Sequence, residues 1–175
     1  MRNGYALCTE KGLATITRKL QTLGAREMDE LRDLLRVGIQ SGAQVTDSEK
    51  ADLFVSQAFY SALPVSYTGM RPERWKSLAV LVLESAYEAT LWAAVINAHR
   101  FSSNILYLTQ LGGGAFGNEP QWIHDAMPGR LLLAGLRGTA SRDGGFRAKA
   151  LGDLPSPRGD SFDSFLELGH TAGTP

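Results

Sequence analysis

The residues whose types and spacing suit an anion lie in one stretch, 104–126, which reads NILYLTQLGGGAFGNEPQWIHDA. Its glycines, Gly112, Gly113, Gly114 and Gly117, stand between an apolar run and a helix-like pattern. Glycine allows turns that other residues avoid and lets a ligand approach the backbone closely. Main-chain N–H groups in such a loop, directly before a helix, face an anion. The sequence therefore predicts a phosphate-binding loop.

The elements on either side of the glycines agree with this prediction. Residues 104–109 form a short apolar run of branched and aromatic side chains, which is typical of a buried strand. Glu119 and Pro120 indicate a helix start, because proline suits the first helical position and an acidic residue suits the positive end of the helix dipole. The alternative is that the glycines serve only a tight turn. The flanking strand and helix favour phosphate binding over that alternative.

The spacing Gly112-x-Gly114-x-x-Gly117 also satisfies the dinucleotide-binding pattern. That pattern requires a βαβ unit and an acidic residue about 20 positions further on. No second strand is expected after Met127, and Asp143 lies in glycine-rich chain. A Rossmann-type site is therefore disfavoured.

The run Gly114-Ala115-Phe116-Gly117 resembles the glycine-hydrophobe-aromatic-glycine loop of macrodomains. In that family the loop follows a central strand, wraps the diphosphate of ADP-ribose and sets an aromatic ring beside the distal ribose. The segment SALPVSY at 61–67 and the long apolar segment 75–99 precede the loop in the family's order. The chain is especially similar to macro-like proteins that carry SALPVxY followed by LGGGxFGN.

The resemblance covers 3–127 and implies an α/β fold, a partial three-layer macrodomain-like sheet flanked by helices. The family's earlier strands have no counterpart before Asn3, so we expect residues 1–127 to be an incomplete module. No position matches the family's catalytic loop, so no catalytic residue is assigned. The ligand-binding residues that the resemblance implies are Gly112, Gly113, Gly114, Ala115, Phe116, Gly117 and Asn118. Ser61 and Tyr67 are further candidates, because their loop follows the strand 53–60 and open α/β sheets bind ligands at the C-terminal ends of their strands. The alternative is that Ser61 caps a turn and Tyr67 packs on the long helix.

Three functions remain open from the sequence. The first is binding of ADP-ribose or a related nucleotide diphosphate by the loop 112–118, with Phe116 against a ribose. The second is hydrolysis of ADP-ribose linkages, which would need a positioned water and a polar group. The third is a non-enzymatic interaction protein, in which the glycines are structural and the long helix docks onto a protein partner or a second copy.

Composition narrows the classes of partner and compartment. Lys plus Arg equals Asp plus Glu at 18 each, so no net field attracts nucleic acid or an anionic membrane surface. Cys8 is the only cysteine, which excludes an intrachain disulfide and a cysteine-built zinc site. Neither a metal site nor a cofactor is expected. The start of the chain lacks the apolar core of a signal peptide, so a cytoplasmic protein is predicted.

The pattern along the chain predicts the supporting elements. Thr9 caps a short helix, 25–40 forms a second helix with surface charges, 41–52 is turn-like and 53–60 is a strand. A third helix, 72–99, is apolar around most of its circumference, and Trp75 and Trp92 are expected to anchor it in the core. It is interpreted as a buried soluble helix, since Glu84 and Glu88 interrupt it.

The last segment, 128–175, differs in composition from the rest. It holds 9 glycines and 4 prolines in 48 residues, a density typical of low-complexity chain. We expect a disordered, largely unstructured C-terminal tail, with a short helix or strand at 131–134 and a turn of helix at 163–168.

Overall fold

A computed structural model of the chain describes residues 4–47, 52–101, 106–133, 146–150 and 165–170. The helices within these ranges are α1 (Glu10–Gln21), α2 (Ala25–Arg32), α3 (Lys76–Phe101) and α4 (Pro120–Leu133). The strands are β1 (Gly38–Gln44), β2 (Phe54–Phe59), β3 (Leu106–Thr109), β4 (Phe146–Ala150) and β5 (Phe165–His170). The predicted mixed α/β character is confirmed.

Local chemistry explains where several elements begin. The Thr9 hydroxyl accepts a hydrogen bond from the Gly12 N–H at 3.1 Å and so caps α1. A 3-10 turn at Pro72–Arg74 precedes α3, and Pro120 is the first residue of α4. The cap at Thr9, the helix start at Pro120 and the strand predicted at 53–60 are confirmed, whereas the helix predicted from Pro72 begins at Lys76, after the 3-10 turn. The strand predicted at 104–109 is confirmed over 106–109.

The helix predicted over 25–40 is wrong beyond Arg32. The chain leaves α2 there and enters β1 at Gly38, which continues into the predicted turn 41–52 as far as Gln44. Val37 and Ile39 are β-branched and flank a glycine, a combination that disfavours helix and suits a strand. Pairing with β2 stabilises β1. The leucine spacing favoured a helix, because the local sequence does not reveal this partner.

The described strands form two separate antiparallel sheets. β1 pairs with β2 in a hairpin, from Gly38 opposite Phe59 to Gln44 opposite Phe54. The second sheet has the order β3-β5-β4. The predicted three-layer arrangement would place β2 and β3 in one sheet, whereas here each strand pairs with a different antiparallel partner. The coarse α/β prediction is thus met, and a single central sheet is not seen in the described ranges.

The predicted tail, 128–175, is described only in part. α4 continues to Leu133, so the chain from 131 to 133 is helical. Residues 165–168 lie in β5, so the predicted turn of helix at 163–168 is wrong over these positions. The remaining tail positions, 134–145, 151–164 and 171–175, lie outside the described residues.

α3 forms the centre of the core. Its side chains Trp75, Leu83, Ala86, Tyr87 and Leu91 are fully buried, with Trp75 at the turn that leads into the helix. Leu13 of α1 and Ile123 of α4 belong to the same buried cluster. Trp75 is therefore a core anchor as predicted. Trp92 is not, because 48% of its surface is exposed.

α3 is also long and apolar enough to cross a membrane, judged by length and composition alone. The segment Lys76–Ala98 has a mean hydropathy of 1.5. The core helix of a soluble protein passes the same test, and here the first half of α3 is packed against α1 and α4.

Replacing Leu83 by alanine tests the central role of α3. Leu83→Ala should lower the free energy of unfolding by about 2–5 kcal/mol, because it leaves a cavity at a fully buried position. Leu34→Ala is the matched control, since Leu34 is 69% exposed and should change stability by about 0.5 kcal/mol or less. Chemical denaturation measures both. Equal losses in the two variants would contradict this core.

Candidate functional site

The loops that follow β2 and β3 meet above α3. Tyr87 of α3 donates a hydrogen bond to the Thr109 carbonyl at 2.8 Å and accepts one from the Leu111 N–H at 3.0 Å. Tyr60, directly after β2, has its phenol near the hydroxyl groups of Thr90 and Thr109. Burial raises the pKa of both the Tyr60 and the Tyr87 phenols. Tyr87 thus fixes the end of β3 to α3, and the end of β2 lies near the same part of that helix, although the two strands lie in different sheets.

The glycine loop consists of two successive β-turns. The Gly113 N–H donates to the Gln110 carbonyl at 3.1 Å, and the Gly117 N–H donates to the Gly114 carbonyl at 2.9 Å. Gly112 is the third residue of the first turn and has φ +74°, the left-handed conformation that a type II turn requires there. The predicted turn is therefore present and uses glycine where backbone geometry demands it.

Two of the glycines are also required by close packing against the loop 61–67. A side chain on Gly112 would place its Cβ 2.4 Å from Ala62 Cβ. One on Gly117 would lie 2.9 Å from Ser66 Cβ. Gly114 differs, because nothing lies within 4 Å of the position that its Cβ would take. The structural role explains Gly112 and Gly117 but leaves Gly114 without a packing reason.

Asn118 ties the two loops together. Its side chain is 2% exposed, and Nδ2 donates to the Leu63 carbonyl at 2.8 Å and to the Gly112 carbonyl at 3.4 Å. Its backbone N–H also donates to the Gly112 carbonyl, at 2.9 Å. Its Oδ1 is buried and has no partner in the part of the chain that the structure describes. Asn118, predicted as a ligand contact, thus has a structural role here.

Ser66 makes the second connection between the loops. Its N–H donates to the Phe116 carbonyl at 3.0 Å, and its hydroxyl donates to the Ala115 carbonyl at 2.6 Å. In a trans peptide the N–H points opposite to the carbonyl of the same plane. Because the Ala115 carbonyl faces Ser66, the Phe116 N–H points away from the loop 61–67. The Ala115 N–H likewise points away from Gly117, which binds the Gly114 carbonyl.

Three consecutive amides remain available for a ligand. The N–H groups of Gly114, Ala115 and Phe116 donate to no atom of the described residues, whereas those of Gly113, Gly117 and Asn118 are all used within the loop. Gly114 and Ala115 are exposed, and Phe116 is half-buried. The predicted contact set of 112–118 therefore divides into an internally bonded group and a free run at 114–116.

An aromatic cluster lies beside this free run. The Phe116 ring centroid is 5.5 Å from that of Tyr67 and 6.0 Å from that of Tyr5, and the two tyrosine rings are 5.2 Å apart. All three pairs meet edge to face, a favourable geometry for aromatic rings. Sequence reasoning missed Tyr5, because nothing in the local pattern connects it with a loop more than a hundred residues away.

Ser61, the remaining candidate residue, is less involved. It is exposed, and its hydroxyl donates to the adjacent Ala62 carbonyl at 3.1 Å. Within the described ranges, no group of three His, Cys, Asp or Glu side chains could hold a metal ion.

The structure also contains two surface grooves outside the glycine loop. One, of about 350 Å³, lies between α1, α2 and α3, and the other, of about 330 Å³, lies beside α1. Neither is lined by a residue of the loop 112–118. Because Gly114 and Ala115 are exposed, a ligand at the free amides would bind to an exposed turn.

No protein-family model, no curated protein and no solved structure matches the chain. The geometry of the two loops is therefore the basis for the functional proposal.

The two kinds of glycine in the loop can be separated by matched substitutions. Gly112→Ala should lower the free energy of unfolding by about 1–3 kcal/mol or more, because alanine is strained at positive φ and its Cβ would collide with Ala62. Gly114→Ala should change stability by about 0.5 kcal/mol or less, since its site is open. Thermal and chemical denaturation measure both. A Gly112→Ala variant as stable as the parent would contradict the close contact.

Tyr87→Phe tests the anchor beneath the loop. At neutral pH the variant should lose about 1–3 kcal/mol, because the Thr109 carbonyl and the Leu111 N–H lose their partner. Tyr67→Phe, at an exposed position, is the control and should stay within about 0.5 kcal/mol of the parent.

The pH dependence of Tyr87→Phe gives a second measurement. Because the folded pKa of Tyr87 is raised, its contribution is fully present below the unfolded pKa of about 10 and is lost as the pH rises further. Tyr87→Phe should therefore lose less stability than the parent above that pH in denaturation series. Identical alkaline slopes would show that burial does not hold the phenol protonated.

Proposed function

We propose that the loop 112–118 binds the diphosphate of ADP-ribose or a related nucleotide. The observation that supports this most directly is the run of free amides at Gly114, Ala115 and Phe116, with the Ala115 and Phe116 N–H groups turned away from their own loop contacts. Consecutive backbone N–H groups in a turn form a concave donor site for phosphate oxygens. The start of α4 at Pro120 adds the positive end of a helix dipole close by in the chain.

The open space at Gly114 supports the same proposal. Gly112 and Gly117 are explained by contacts with the loop 61–67, so their presence does not distinguish a binding loop from a structural turn. Gly114 has no neighbour that its Cβ would meet. A glycine that packing does not require, next to unpaired amides, is suited to the close approach of a ligand to the backbone.

The aromatic cluster suits the sugar of a nucleotide. Phe116 supplies one of the free amides and also the ring that the macrodomain resemblance sets against a ribose. Tyr67 and Tyr5 both pack edge to face with that ring, so it does not have to be ordered when a ligand binds. A group that is already ordered costs less conformational entropy on binding. Ser61, on the same loop as Tyr67, is the further polar side chain that we place at this site.

The proposal includes a macrodomain-like relationship between the two loops. The loop after β2 carries SALPVSY and the loop after β3 carries the glycines, and both meet at Tyr60, Tyr87 and Thr109. The proximity of these two loops supports a macrodomain-like α/β arrangement. The strand pairing gives it less support, because β2 and β3 lie in different sheets. We assign binding and no catalytic step, because no position of the chain matches the catalytic loop of the family that it resembles.

Calorimetric titration with ADP-ribose tests the proposal, and Ala115→Pro removes one free N–H without removing the turn. Ala115 is the second residue of the turn 114–117, where proline is favoured. The parent should bind, and Ala115→Pro should weaken binding about tenfold or more, the loss expected for a charge-assisted hydrogen bond. Ala115→Gly is the control, because it keeps the N–H and should bind like the parent.

The thermal unfolding midpoint of each variant shows whether the turn has survived the substitution. Absence of heat and of a ligand-induced thermal shift in the parent at millimolar ADP-ribose would overturn the proposal. Equal affinity of a folded Ala115→Pro variant and the parent would show that the Ala115 amide does not contact the phosphate.

A further inference from the structure

Two tyrosine rings beside the glycine loop keep much of their surface in contact with solvent. Tyr5 is 38% exposed and Tyr67 is 45% exposed, although each of them contacts two other aromatic rings. An edge-to-face pair uses one face of one ring and one edge of the other. The three pairs among Tyr5, Tyr67 and Phe116 therefore cover only part of the aromatic surface of the cluster. The remaining surface of the two tyrosines is open to a ligand.

Packing against the core holds the three rings in place. Phe116 packs against the buried cluster around α3, and so does Cys8, three residues after Tyr5. Cys8 directly precedes the cap of α1, so the packed start of that helix brings Tyr5 to the glycine loop. Tyr67 lies in the 3-10 turn Val65–Thr68, at the end of the loop that contacts the glycines. A ligand would thus meet rings that are already ordered, which lowers the entropy cost of binding.

We propose that the exposed rings of Tyr5 and Tyr67 form a stacking platform for the base of a nucleoside diphosphate. This inference rests on the proposed diphosphate binding and adds a second contact to it. In a nucleoside diphosphate, one sugar joins the diphosphate to the base. Here Phe116 carries the last of the free amides, and its ring contacts both tyrosines. A diphosphate at the amides and a sugar at Phe116 therefore direct the base towards the two tyrosine rings.

The platform binds different bases with little discrimination. Discrimination between bases needs polar groups that hydrogen-bond with the edge of the base. In the two loops, the Ser66 hydroxyl donates to the Ala115 carbonyl at 2.6 Å. The buried Asn118 side chain donates to the Leu63 carbonyl at 2.8 Å, so these two polar groups are used within the protein. Every base has an aromatic face, so stacking accepts adenine, guanine and uracil alike.

Calorimetric titration of the full chain with ADP and with inorganic pyrophosphate separates the base from the diphosphate. The parent should bind ADP about tenfold more tightly than pyrophosphate or better, because only ADP carries a base that can stack. GDP and UDP should bind within about tenfold of ADP, since each base has an aromatic face. Proton NMR supplies a second readout: the base protons of ADP should shift upfield on binding, because they lie over an aromatic ring.

Substitutions of the two tyrosines test which surface binds the base. Tyr5→Leu and Tyr67→Leu should each weaken ADP binding about fivefold or more and leave pyrophosphate binding unchanged, because leucine is apolar but has no aromatic face. Tyr5→Phe and Tyr67→Phe are the matched controls, since they keep the ring and should bind ADP like the parent. The thermal unfolding midpoint of each variant shows that it is folded.

A parent that binds neither ligand overturns the proposed diphosphate binding and this inference together. A parent that binds pyrophosphate as tightly as ADP overturns the stacking platform alone, and so do leucine variants that bind ADP like the parent. Leucine variants that lose the same affinity for both ligands would show that the rings only support the loop, which also overturns the platform. A preference for ADP over GDP and UDP of more than about a hundredfold would overturn the tolerance for different bases.

Discussion

The structure depends on the need to cover α3 on every side. The helix is apolar around its circumference, and a helix of this kind is stable in water only where other elements bury each face. Along its first half, α1, α4 and the loop 61–67 supply that cover, and Trp75, Leu83 and Tyr87 lose all contact with solvent. Along its second half the cover is incomplete, since Trp92 and Ile96 remain half exposed. The buried core around the first half of α3 and the exposed Trp92 and Ile96 on its second half thus both follow from the apolar character of this helix.

The same helix also determines where the two loops meet. The ring of Tyr87 is buried in the core, and its hydroxyl hydrogen-bonds with the backbone at Thr109 and Leu111. A core residue therefore fixes the position where the glycine loop begins. From there Gly112 allows the backbone to approach Ala62, an approach that any side chain would prevent. Asn118 then satisfies the Leu63 and Gly112 carbonyls that this close contact removes from water.

The sequence predicted the features that depend on neighbouring residues. The cap at Thr9, the helix start at Pro120 and the turn at Gly112 follow from side-chain chemistry within a few positions. The sequence did not predict β1, because leucines at helical spacing continue past Arg32 and the stabilising partner, β2, is distant along the chain. The prediction that Trp92 lies in the core was wrong for a related reason. A helix that is apolar on all sides does not show which of its faces other elements of the chain will cover.

For the glycine loop, the sequence identified the segment. It did not show which N–H groups form hydrogen bonds within the loop and which remain free. All of 112–118 was expected to face a ligand, whereas the N–H groups of Gly113, Gly117 and Asn118 are used to build the loop itself. These internal hydrogen bonds order the loop and so also fix the positions of the remaining N–H groups. Tyr87, Asn118 and Ser66 all form hydrogen bonds with the loop or beside it. The N–H groups of residues 114–116 are therefore held in place before a ligand binds. A donor set that is already ordered loses little conformational entropy on binding, so a short exposed turn can bind a diphosphate without a deep pocket around it.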